Sequence, residues 1–282
     1  MQIKTVGVLG CGLMGSGIAQ VAAQAGYTTV VREVEQGLLD RRMGRIRKFL
    51  DGGVEKGKVT AEARAQTLAN LTGTTKVDDL KACDLVIEAI IEHLDEKARV
   101  YEAVERVVGD HAIIVSNTSS LCIMELAAKT RRPDRFGGLH FFNPVPIMKL
   151  VEVVRALTTS DETYQALVAF AQSLGKEPIT APDKPGFIVN RLLVPYLLDA
   201  IRSYERGLGT IEDIDKGMTL GCGYPMGPFT LLDFVGLDTT YYIANIMFEE
   251  YREPAYAPPP LLKRMVLAGR LGRKSGRGFY TY

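Results

Sequence analysis

The stretch VGVLGCGLMGSGIAQVAAQAGYTTVVRE, residues 6–33, decides the fold. Its opening reads as a strand, its middle as a helix rich in small residues, and YTTVV at 27–31 as a second strand. Between the first strand and the helix lies Gly10-Cys11-Gly12-Leu13-Met14-Gly15, a G-x-G-x-x-G spacing, and an acid, Glu33, follows 18 residues after Gly15. Strand, glycine loop, helix, strand and acid in that order are the fingerprint of a dinucleotide-binding βαβ unit. Gly10 permits the tight turn, Gly12 lets the backbone approach a pyrophosphate, and Gly15 lets helix and sheet pack closely. Exposed amides and the helix dipole would hold the phosphates. Glu33 would accept hydrogen bonds from a ribose 2′-hydroxyl and repel a 2′-phosphate, so NAD is expected over NADP, with Arg32 beside it weakening that preference. The competing reading is a glycine turn in a sheet protein with no ligand.

Outward from this unit, β-branched runs continue to alternate with helical patterns: DLVIEAI (84–90), AIIVS (112–116), FGGLHF (136–141) and KLVEVV (149–154) read as further strands, and a long polar helix is expected from about Glu35 to Leu50. The alternation implies an α/β fold, a Rossmann-type domain with a mostly parallel sheet. After APDKPGF (181–187) the strands disappear. The expected organisation is an N-terminal domain over 1–184 and an all-α domain over 185–282. In the latter, a largely apolar helix spans 187–206, bent or short of one hydrogen bond at Pro195, with others near 210–220, 228–235, 238–250 and 260–268.

The 282-residue chain carries a net charge of +1, which argues against a broad electrostatic footprint for nucleic acid or anionic lipid and favours a small-molecule partner. No apolar run reaches the ~18–20 residues needed to span a bilayer. The first strand pattern begins at Ile3, leaving no room for a signal peptide, and a cytoplasmic location is expected. Cys11, Cys83, Cys122 and Cys222 lie far apart, with no metal-ligand spacing, and read as reduced core residues. No metal site is expected.

Of three histidines, His93 and His111 sit among charged residues, whereas His140 ends a strand late in the sheet domain, where ligands collect beyond the carboxyl ends of strands. An enzyme oxidising an alcohol must remove a hydroxyl proton as hydride leaves the same carbon, and a group with an ordinary pKa of ~6.5 suits that task. Glu152 lies 12 residues on, beyond the proline turn NPVPI. If the two strands pair antiparallel, Glu152 can face the ring, fix its tautomer and favour its charged form. The alternative is a satisfied core histidine with an unrelated glutamate. FAD uses the same fold as NAD, but this histidine suits hydride exchange with a nicotinamide better.

The blocks GLHFFNPVPIMKLVEVV (138–154), SNTSSL (116–121), KPGFIVNRLLVPYLLDAI (184–201), GYPMGPFTLLDFVGLDT (223–239) and GRKSGRGFY (272–280) together resemble the L-3-hydroxyacyl-CoA dehydrogenase family through essentially the whole chain. The resemblance implies an NAD-dependent oxidoreductase of (3S)-3-hydroxyacyl-CoA thioesters, four-carbon ones included. His140 would be the general base and Glu152 its partner. Ser119 and Asn190 would hydrogen-bond the substrate, and Asn143 would sit near the nicotinamide. Glu92, Lys97 and Lys274 match positions associated with the cofactor; for Glu92 and Lys97 the alternative is a helix-start acid and an ordinary surface pair. The resemblance departs at two points: Glu33 stands where the family usually has aspartate, and Phe49 stands where some relatives have a serine that contacts coenzyme A. The surrounding basic residues, Arg41, Arg42, Arg45, Arg47, Lys48, Lys56 and Lys58, form a flank suited to coenzyme A phosphates, with Lys56 singled out by the resemblance. The helical domain is expected to form a homodimer. Two rival readings remain at this point: a dehydrogenase of a free hydroxy or sugar acid, which would not need the basic flank, and a non-catalytic NAD-binding protein, which would not need a base.

Overall fold

The computed structural model describes residues 2–282 and divides the chain into two compact units, one ending at Lys184 and the other spanning Pro185–Tyr282.

The first unit is built on eight strands: β1 (Thr5–Leu9), β2 (Thr28–Arg32), β3 (Leu71–Thr74), β4 (Leu85–Glu88), β5 (Ile113–Ser116), β6 (Phe136–Phe141), β7 (Leu150–Arg155) and β8 (Glu177–Pro182). Its helices are α1 (Leu13–Gln24), α2 (Gln36–Glu55), α3 (Ala61–Ala69), α4 (Leu94–Glu105), α5 (Ile123–Ala127) and α6 (Asp161–Ser173). The strand order is β3-β2-β1-β4-β5-β6-β7-β8. All neighbours from β3 to β6 pair parallel, β6 and β7 pair antiparallel, and β8 runs parallel to β7. The chain moves outward from β1 to β3, then returns to start the other half at β4, so β1 and β4 flank the switch point at which such sheets bind ligands.

The runs LVIE and IIVS are buried along their whole length, because central parallel strands are covered on both faces. Two strands lie outside the sequence expectation. The four-residue β3, LTGT, has a glycine and two threonines and sits at one edge, where a short strand suffices. At the other edge β8, EPITAP, holds Pro178 and Pro182, which a central ladder would not tolerate but an edge strand does. The long polar helix runs five residues further than expected, to Glu55.

The second unit holds α7 (Val189–Glu205), α8 (Ile211–Cys222), α9 (Pro228–Val235), α10 (Leu237–Tyr251) and α11 (Pro260–Leu267). Val194, Leu197, Leu198 and Ile201 of α7 meet Phe229, Leu232, Ala244, Met247 and Leu262 in its core, with Pro195 inside the helix. Two buried acids tie it together. Asp215 accepts from the Phe229 and Thr230 amides at the start of α9 (2.7 and 2.9 Å), and Asp233 accepts from the Phe279 and Tyr280 amides of the closing segment (2.9 and 2.8 Å). The GRKSGRGFY block is thus a strap fastened to α9.

The cysteines divide. Cys11 and Cys83 are core residues, Cys122 is half-buried and Cys222 is exposed, so the reading of all four as core residues fails for Cys222, which ends a surface helix.

Candidate active site

Parallel pairing aligns the strand ends: Leu9 of β1 stands beside Arg32 of β2 and Glu88 of β4, Glu88 beside Ser116 of β5, and Ser116 beside Gly138 of β6. Everything that follows these strands therefore emerges on one edge of the sheet.

The glycine loop occupies the centre of that edge. Gly10 has φ +87°, and a Cβ on Gly15 would stand 1.8 Å from the Gly10 carbonyl oxygen, so no larger residue fits there. A Cβ on Gly12 would meet nothing within 4 Å: the space in front of this backbone is open, as a pyrophosphate requires. Gly12 caps α1, whose first amides, at Leu13, Met14 and Gly15, have no acceptor inside the helix. The loop therefore fits a dinucleotide. Glu33 is buried beside it, accepting from the Cys11 amide (3.1 Å) and the Val34 amide (2.9 Å) and paired with the guanidinium of Arg42. Burial first, then the Glu33 charge, pushes the Cys11 thiol up to about 11, with Arg42 partly offsetting. Arg42 is thereby committed to Glu33, which removes it from the basic flank expected for coenzyme A. Arg41, Arg45, Arg47, Lys48, Lys56, Lys58 and Phe49 are exposed.

The next feature along the edge is a buried charge network that the sequence reading missed. Glu88, at the end of β4, has no exposed surface and accepts from Lys97 Nζ (2.6 Å), Tyr101 Oη (2.7 Å), Ser116 Oγ (2.7 Å) and the Ile90 amide (2.8 Å). Lys97 also reaches Glu92 (3.0 Å). Glu92 in turn accepts from Thr118 Oγ1, the Ser119 amide (3.3 Å) and Ser120 Oγ (3.2 Å). Glu92 and Lys97 are therefore not a surface pair: Lys97 is 1 % exposed and links the strand end to the loop that carries Ser119. Burial opposes the Lys97 charge, but Glu88 and Glu92 outweigh it and raise its pKa. The available signal was an acid inside the otherwise apolar run LVIEAI (85–90), since a buried carboxylate demands partners.

The third feature is the histidine strand. In the antiparallel β6/β7 pair, His140 stands directly opposite Glu152, and Nδ1 lies 2.6 Å from Oε2. Glu152 is fully buried and His140 nearly so, with the Phe142 ring 4.5 Å from the imidazole centroid. A carboxylate only accepts, so Nδ1 carries the proton and, in the neutral ring, Nε2 is the basic nitrogen. The turn between the strands contains the cis Asn143–Pro144 bond, and Asn143 is exposed within it. Lys176, also unread from the sequence, donates from Nζ to the Val145 and Met148 carbonyls (2.6 and 2.8 Å) and so clamps the turn. Burial lowers its pKa.

The remaining expected residues lie in the second unit. Asn190 is half-buried in the first turn of α7, and Lys274 is held by Asp238 (2.6 Å). His93 and His111 are exposed, and His111 bonds Asp84 (3.1 Å). Among the described residues no group of His, Cys, Asp or Glu is placed to hold a metal ion, and no helix is long and apolar enough to cross a membrane.

A glycine loop at the switch point, with a carboxylate-backed imidazole on the same sheet edge, defines an NAD-dependent dehydrogenase. Models of the 3-hydroxyacyl-CoA dehydrogenase NAD binding domain and of the 3-hydroxyacyl-CoA dehydrogenase C-terminal domain match residues 5–184 and 186–282. The chain belongs to the 3-hydroxyacyl-CoA dehydrogenase family. It is 51 % identical to a 3-hydroxybutyryl-CoA dehydrogenase of Mycobacterium tuberculosis, over 99 % of both chains. The mitochondrial hydroxyacyl-coenzyme A dehydrogenase of Homo sapiens is 47 % identical, with 99 % of this chain and 91 % of that protein covered. The crystal structure of an (S)-3-hydroxybutyryl-CoA dehydrogenase from Ralstonia eutropha superposes with a TM-score of 0.96 at 46 % identity, covering 100 % of this chain and 99 % of that one.

Proposed function

We propose that the chain interconverts (3S)-3-hydroxybutyryl-CoA and acetoacetyl-CoA, with His140 as general acid and base. The observation that carries this reading is the 2.6 Å contact between His140 Nδ1 and the fully buried Glu152. In oxidation, His140 Nε2 takes the proton of the substrate's 3-hydroxyl. Glu152 holds the ring in the tautomer that makes Nε2 an acceptor and stabilises the cation that forms. In reduction, the protonated ring returns that proton to the 3-oxygen. NAD, when bound, supplies the hydride acceptor at its nicotinamide.

Gly10, Gly12, Leu13, Met14, Gly15 and Glu33 hold the dinucleotide through backbone amides and the carboxylate, and Asn143 and Lys274 add contacts to it. Lys97 and Glu92 fix the loop from which Ser119 orients substrate and cofactor. Asn190 adds a substrate contact, and Lys56 with the exposed arginines of α2 faces coenzyme A phosphates. A cytoplasmic homodimer completes the reading, supported by the exposed Leu192, Phe234, Val235 and Tyr242 on α7, α9 and α10. An absorbance assay at the NADH band with acetoacetyl-CoA tests the substrate. His140→Ala should lower kcat by about 10³-fold while NADH still binds. Near-normal turnover by the variant would overturn the assignment of the base, and turnover of free acetoacetate in place of the thioester would overturn the substrate.

A further inference from the structure

The strand that carries His140 outruns one of its neighbours. The ladder between β5 and β6 ends where Ser116 stands beside Gly138, whereas on its other side β6 stays paired with β7 as far as Phe141 and Val151. His140 therefore lies in a stretch, 139–141, that β5 does not flank.

Asn117, the first residue after β5, reaches into that space. Its backbone amide donates to the Glu88 carbonyl at the end of β4 (2.8 Å), and its side-chain Oδ1 accepts from the Phe141 amide (3.0 Å). A backbone N–H only donates, so the oxygen of the side-chain amide is the atom that faces Phe141. An asparagine carbonyl can replace a backbone acceptor, and here the side chain stands in for the next residue of β5. Phe141 is nearly fully buried, so its amide needs such an acceptor.

The same residue begins the loop that holds Ser119. The Thr118 amide donates to Ser116 Oγ (3.1 Å), and Thr118 Oγ1 accepts from the Ser120 and Leu121 amides (3.2 and 2.9 Å). The far end of the loop is fixed by Asp183, which accepts from the Ile123 and Met124 amides (2.6 and 2.7 Å). A loop so tied moves as one piece, and Asn117 joins it to the histidine strand one residue from His140.

We infer that Asn117 is a positioning residue of the reaction: its side chain sets the spacing between Ser119 and His140, so that both meet one bound substrate in reacting geometry. The inference rests on the roles proposed above for those two side chains. A misplacement of about 1 Å between groups that act on one substrate can cost 10²-fold in rate.

Turnover of acetoacetyl-CoA with NADH by variants at Asn117 tests it, with NADH binding followed by nicotinamide fluorescence and thermal unfolding recorded for each. Asn117→Leu keeps the bulk and loses the acceptor: kcat should fall about 10²-fold, while NADH affinity and the KM for the thioester stay within about threefold. Asn117→Asp keeps an oxygen for the Phe141 amide and should hold kcat within about tenfold of the unaltered chain. Asn117→Ala loses the acceptor without leucine's bulk, should match the leucine variant, and replaces it if leucine does not fold. A double-mutant cycle separates positioning from simple support. In a Ser119→Ala background there is no spacing left to keep, so Asn117→Leu should cost about tenfold less than it does alone. Penalties that multiply in full overturn the inference, as does an aspartate variant as slow as the leucine one, or a kcat that Asn117→Leu and Asn117→Ala both leave within about threefold of the unaltered chain. An unaltered chain that does not turn over the thioester would instead overturn the functional reading beneath it.

Discussion

Two carboxylates on the same sheet, Glu88 at the end of β4 and Glu152 in β7, have no exposed surface, and they are held in opposite ways. Glu88 faces a cation, two hydroxyls and an amide, all fixed donors that keep their protons at neutral pH. Glu152 faces an imidazole, a side chain able to serve as both acid and base. Burial of an acid therefore does not mark chemistry by itself. The partner decides whether the acid is a pin or half of a working pair.

If Glu88 is a pin, its loss should be felt in stability above all. Glu88→Ala leaves the Lys97 ammonium buried with one fewer carboxylate and should cost about 3–5 kcal/mol in urea unfolding. A change below ~1 kcal/mol would erase the distinction. The opposite result is expected at the other carboxylate: Glu152→Gln should lower kcat by about 10²-fold, near 2.7 kcal/mol in the barrier, and alter the pH profile of turnover, because the ring loses its charge partner. An unaltered profile would place Glu152 among the pins. The smallest effect concerns one donor of Glu88. Tyr101→Phe should cost roughly 1.5 kcal/mol, since Glu88 keeps its other donors.

The same variant sharpens the comparison in alkali. Burial first, then the Glu88 charge, raises the Tyr101 pKa well above its ordinary 10.0, and the acids beside Lys97 raise that pKa above 10.5. The folded chain thus keeps both protons to higher pH than the unfolded chain. The stability this lends is intact below those ordinary values and is lost as pH climbs beyond about 10. Melting temperature should decline there, and less steeply in Tyr101→Phe.

The sequence showed what is local and what alternates. The β1–loop–α1–β2 unit was legible because its glycines and apolar runs lie within 28 residues, and the facing of His140 and Glu152 followed from reading two strands around a proline turn. The edge strands β3 and β8 were not legible, since edge positions admit the glycine, threonine and proline that argue against a strand. Arg42 could not be picked from the arginines of α2, because its partner is chosen by how a helix lies against a strand end. Glu88 and Lys97 were hidden for a related reason: their pairing spans a strand, a turn and a helix, and only burial makes it obligatory. Lys176 gave no signal, because its acceptors are backbone carbonyls that every residue carries.

The antiparallel register of β6 and β7 has a consequence for chain length. A slip of one step would set His140 against Val151 or Val153 and turn the glutamate to the far side of the sheet. The turn over residues 142–149, clamped by Lys176 at Val145 and Met148, sets that step. Surface turns ordinarily absorb insertions and deletions with ease. Here the turn is a length gauge: a residue gained must bulge outward and a residue lost cannot be made up, so variation in this hairpin runs through side-chain identity at constant length.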